Sequence, residues 1–167
     1  GGDTLAQLVY TVWFSERPAD PGLDLLAGAL DGLVWRVTLA PDGTPWVYDT
    51  MHPCGCFHMF FPTSQAMAIE APEGGDEWAF VPAAAPQLPE GGRMRLRIAT
   101  RTHYLVDVAA DGGGNAAGYS MLDEDSLRSM PLAAGGRRSL YGPDGLVPGT
   151  ERAERFVHLH RDRQTQA

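Results

Sequence analysis

Leu33, Trp35, Val37 and Leu39 alternate with Val34, Arg36 and Thr38. A period of two over seven residues predicts a strand with one buried face. Pro41-Asp42-Gly43-Thr44 follows with turn chemistry: proline presets φ, the aspartate side chain bonds nearby backbone, and glycine accepts positive φ. Trp46-Val47-Tyr48 then reads as the returning strand of a hairpin, and it delivers the chain directly to His52. Upstream, Leu5 to Phe14 is apolar on both faces, which predicts a central strand. Downstream, Met94, Leu96 and Ile98 alternate with Arg93, Arg95 and Arg97, a second clear strand that is read as running on through a bend into Tyr104-Leu105-Val106. Trp78–Val81 and Phe156–His160 carry weaker strand signals. Only Asp123–Ser129 reads as helical, with Asp123 or Asp125 as its N-cap.

Twenty glycines and thirteen prolines divide the chain into short segments, which favours strands over helices. Residues 71–76, 83–92 and 111–118 read as loops. The expected architecture is mainly β: a single domain over residues 1–167, an antiparallel sandwich, jelly roll or open barrel with long loops and at most one short helix. At 167 residues, 44% of them apolar and 20% charged, the chain is long enough to bury a core without covalent staples. No window resembles a membrane-spanning helix. The net charge of −8 argues against nucleic acid as a partner, because phosphate binding rests on clustered cations. A small molecule or a metal ion is the partner class left. All 13 basic residues are arginine, which is read as genomic bias and not as function. The chain opens Gly1-Gly2-Asp3, as expected of a processed product or a piece of a longer protein, and both periplasmic and cytoplasmic locations stay open.

The chemistry concentrates in Met51-His52-Pro53-Cys54-Gly55-Cys56-Phe57-His58-Met59. His52, Cys54, Cys56 and His58 fall at alternate positions, which point the same way in an extended segment, and Gly55 lets the backbone bend. Two thiolates and two imidazoles suit tetrahedral zinc, while the thioethers of Met51 and Met59 shift the preference towards copper(I). One short peptide filling the whole shell is strained, so another element is expected to complete it. His103 is the first candidate, followed by His158 and His160. With an open coordination position such a site is a metal-dependent hydrolase or a copper oxidoreductase; with a closed one it is a carrier or a structural site.

Two alternatives compete with metal. The only cysteines in the chain, Cys54 and Cys56, are too close to brace a fold, but they can cycle between dithiol and disulfide, with His52 or His58 favouring the thiolate. One of them can instead be a nucleophile beside a histidine base, for which Asp49 and Asp107 are among the available orienting acids. The plainest reading is non-catalytic, with cysteines acting as small core hydrophobes and histidines simply hydrogen-bonded. Without a Cys-x-x-Cys-His sequence, c-type haem attachment is excluded. Arg93, Arg95 and Arg97 read as a solvated face, and Gly112-Gly113-Gly114 lacks the lysine and following helix of a phosphate loop.

The stretches Leu8 to Pro18, Leu30 to Leu39, His52 to His58 and Tyr141 to Val147 together resemble a group of proteobacterial proteins that share a His-Pro-Cys-Gly-Cys-(Tyr or Phe)-His signature. The resemblance covers most of the chain and implies a longer parent protein, but brings no activity with it. The polar ending Arg161 to Ala167 departs from the group's pattern and puts His158 and His160 in question as native ligands.

Overall fold

A computed structural model describes residues 4–22, 24, 26–66, 79–113, 118 and 120–150. The chain is mainly β, with antiparallel sheets and, among the described residues, no closed barrel. Two compact units emerge: Gly1–Ser15 with Asp31–Gly112, and Glu16–Leu30 with Gly113–Ala167. No helix among the described residues is long and apolar enough to cross a membrane.

The first unit is organised on a four-stranded sheet of order β1-β2-β3-β4, with β1 at Gln7–Arg17, β2 at Gly28–Leu39, β3 at Pro45–Met51 and β4 at Met59–Pro62. The alternation read in the sequence fixes which face is buried. Leu33, Trp35 and Val37 of β2 lie on one face with Tyr48 of β3 and Phe61 of β4, and all five are buried. The Trp35 ring packs on Tyr48 at 5.6 Å and on Phe61 at 5.9 Å between centroids. A second hairpin, β5 (Met94–Ile98) paired antiparallel with β6 (Leu105–Ala110), supplies Leu105 to this cluster and packs Met94, Leu96, Ile98 and Val108 around it. Arg93, Arg95 and Arg97 face solvent, as their alternation predicts, with Arg97 3.9 Å from Asp107.

Two sequence expectations need correction. The strand from Met94 does not run on through a bend into Tyr104; it reverses. His103 donates its backbone N–H to the carbonyl of Ala99, and Ala99 donates to Tyr104, closing a turn in which His103 has a φ of 54°. Nor is β1 central: it takes the edge beside β2, with Leu8, Val9, Val12 and Trp13 exposed. Apolar residues on both faces say nothing about neighbours in the hydrogen-bonding direction, so the pattern marked a strand without placing it.

In the second unit a 3-10 turn spans Glu124–Arg128, where the helix was expected. Asp123 is its N-cap, its carboxylate accepting from the Asp125 N–H. A short hairpin follows, pairing β7 (Met130–Pro131) with β8 (Arg137–Arg138). Trp78 and the strand expected at Phe156–His160 lie outside the described residues, so His158 and His160 do too; Phe80 forms a single parallel bridge with Met59.

Candidate functional site: a disulfide loop beside an apolar cleft

β3 ends at Met51, and His52 opens the loop that the hairpin was expected to deliver. Two backbone hydrogen bonds shape that loop. Gly55 donates to the His52 carbonyl at 2.8 Å, and His52 donates to the Cys56 carbonyl at 3.0 Å. Gly55 has a φ of 84°, the left-handed conformation that glycine adopts without a Cβ penalty. The bend turns the two cysteines towards each other, and Cys54 and Cys56 are joined as a disulfide, both partly exposed.

Close approach of the loop to the sheet depends on Gly32. A Cβ there would meet the Pro53 ring at 2.9 Å and the Trp13 ring at 3.1 Å, so glycine lets the loop settle onto β1 and β2. Next to Gly32 stands Asp31, which is buried. Its Oδ2 lies 2.7 Å from Nδ1 of His103, a hydrogen bond that the ring N–H donates, and its Oδ1 lies 3.8 Å from Nδ1 of His52. Both histidines are also buried. The His103 ring stacks on Phe14 at 3.9 Å and 5°. His103 thus reaches the neighbourhood of His52, as its candidacy required, but a carboxylate stands between the two rings.

His58 belongs to a different group. Arg36 and Asp49 face each other across β2 and β3, and the guanidinium binds Oδ1 of Asp49 through Nε at 2.6 Å and Nη2 at 2.5 Å. Nε2 of His58 lies 3.0 Å from that oxygen and 3.0 Å from Nη2 of Arg36. A neutral ring protonated on Nε2 donates to Asp49; protonated on Nδ1 it accepts from Arg36, and the two bonds exclude each other. Asp49 was one of the orienting acids considered from the sequence; Asp107 pairs with Arg97 instead.

The five expected ligands are therefore divided: the cysteines hold each other, His52 and His103 flank Asp31, and His58 pairs with Asp49 and Arg36. In this oxidised arrangement no group of three or more His, Cys, Asp or Glu side chains among the described residues is disposed to hold a metal ion.

A cleft beside the loop leaves no pattern in the sequence. It measures about 390 Å³ and is lined by Leu33, Phe57, Met59, Phe80, Tyr104 and Leu105, together with the rings of His52 and His58. Phe57 packs on Tyr104 at 4.3 Å, and His52 meets Tyr104 edge-on at 5.3 Å. Nothing in the sequence pairs Phe57 with Tyr104. Asp31 did leave a signal, as a lone carboxylate inside the apolar run from Ala29 to Trp35. Compared with known protein families, with curated proteins and with solved structures, the chain matches none of them.

Proposed function

We propose that this protein is a thiol–disulfide exchange module whose reacting group is the Cys54–Cys56 pair. One observation carries the reading: a partly exposed disulfide between residues two apart, on a loop whose histidines and Phe57 line an apolar cleft. A ring of three residues constrains little chain entropy, about 1.6 kcal/mol by the loop-closure relation, against about 4.7 kcal/mol for a loop of a hundred residues. Stability is a weak reason for such a bond. The loop hydrogen bonds run through backbone atoms and remain available when the disulfide opens, so the thiols stay close enough to close again.

The step balances without a cofactor. A substrate thiolate attacks one cysteine sulfur, the S–S bond breaks, and its electron pair leaves on the other cysteine, which takes up a proton. A second substrate thiol then displaces the protein from the mixed disulfide. Two thiols become one disulfide, while the protein gains two electrons and two protons. The reverse sequence reduces a substrate disulfide.

A second reading is metal binding by the reduced protein, favoured by four soft or borderline donors within seven residues: a zinc or copper(I) site at His52, Cys54, Cys56 and His58, with His103 near His52 through Asp31. One experiment separates the two. The folded protein is equilibrated with dithiothreitol of graded redox poise and quenched by alkylation, with and without zinc. Exchange predicts reversible two-electron reduction in the folded state, with little displacement by zinc. Strong displacement by stoichiometric zinc favours the metal site, and a disulfide that resists reduction until the protein unfolds sinks the exchange reading.

A further inference from the structure

We infer that the thiol substrate is a cysteine carried by an apolar polypeptide segment, not a small anionic thiol; this rests on the exchange reading and specifies its substrate. The disulfide loop supplies the cleft with His52 on one side of the cysteines and with Phe57 and His58 on the other. A group seated in the cleft therefore touches residues that flank the two cysteines on the same loop. Two aromatic side chains stand open to solvent there, Phe57 at 49% and Phe80 at 60% of full exposure. The backbone of one and the ring of the other are anchored. The Phe80 carbonyl accepts from the Phe60 N–H at 2.9 Å, and the Phe57 ring packs on Tyr104.

The backbone of Phe57 adds an independent sign. Its φ of 55° is a conformation that costs a non-glycine residue conformational energy. Three non-glycine residues among those described have positive φ: Phe57, His103, and Leu30 immediately before Asp31. Strain thus gathers around the site and keeps an exposed aromatic ring beside the disulfide. An exposed ring held in this way suits contact with another apolar group.

Charge excludes the alternative class. Among the described residues no arginine lines the cleft, and Arg36, which contacts His58 at its wall, is engaged by Asp49. The chain carries 21 acidic against 13 basic residues. A small anionic thiol such as glutathione meets no arginine among the described lining residues and a net negative protein charge. An uncharged apolar segment meets side chains that lose water on contact.

The test follows reduction of the oxidised full chain by two capped, uncharged peptides. Each carries two cysteines, flanked by phenylalanine in one and by serine in the other, with dithiothreitol and glutathione as references. The phenylalanine peptide is expected to react about tenfold faster than the serine peptide, the scale of partly burying one aromatic side chain. Glutathione should be no faster than the serine peptide. In Phe57→Asn, which suits the left-handed backbone, and in Phe80→Ser, the ratio of the two peptide rates, each taken relative to dithiothreitol with the same variant, should fall towards one. Equal peptide rates, glutathione as the fastest reductant, or a preference that survives in both variants would each overturn the inference. Failure of dithiothreitol to reduce the folded protein is a separate result: it removes the exchange reading, and the substrate assignment with it.

Discussion

Two buried carboxylates stand on neighbouring strands, and each is paired with a histidine. Asp31 on β2 meets His103 at 2.7 Å in a group where carboxylate and imidazole are both about 5% exposed. Asp49 on β3 meets His58 at 3.0 Å, but it also receives the Arg36 guanidinium, and His58 is one-third open. The partners differ in kind. Arginine stays charged, whereas histidine can release its proton near neutral pH. Asp49 therefore has a permanent counter-ion, and its histidine is an addition at the cleft. Asp31 is approached by two histidine rings, and the turn that carries His103 has a positive φ.

Replacing each carboxylate tests this difference most directly. Asp49→Asn leaves a mostly buried guanidinium without its counter-charge and should lower stability by about 3 kcal/mol, read as a shift in the urea midpoint at constant slope. A loss below about 1 kcal/mol would mean that water already solvates Arg36. Asp31→Asn should cost less, about 1.5 kcal/mol, because an amide oxygen still accepts from the His103 ring N–H. Equal losses at the two sites would break the comparison.

His103 can be divided further. His103→Asn and His103→Ala both remove the ring, but asparagine tolerates φ near 54° better than alanine. Alanine should be the less stable variant by about 1 kcal/mol, and that margin isolates the cost of the turn from the loss of the ring's hydrogen bond to Asp31. The smallest change is expected at His58→Gln: under about 1 kcal/mol, since Arg36 continues to satisfy Asp49 and the ring is partly solvated. A larger loss, seen in the same urea titration, would show that His58 and not Arg36 holds the carboxylate.

Much of this architecture was legible in the pattern of side chains. The 33–48 hairpin, the Met94–Ile98 strand and the Asp123 cap each rest on neighbours within a few residues, where period and turn chemistry act. The reversal at Ala99–Tyr104 was not, because Thr100-Arg101-Thr102 contains neither glycine nor proline and a histidine takes the left-handed position. Asp49 opposite Arg36 required the register of β2 on β3.

By itself the sequence determined that the chain is β-rich, that one face of β2 is buried, and that its sulfur and much of its imidazole chemistry lie in one seven-residue loop. These are local properties, set by side-chain period and spacing. The tertiary structure alone decided how those groups pair. Asp31 and His103 are 72 positions apart, Phe57 and Tyr104 come from different hairpins, and the Gly32 contact seats the loop against β1. Such pairings depend on how the sheet and the second hairpin pack. Side-chain period fixes which way a residue faces along its own strand, but not what it meets on the other side.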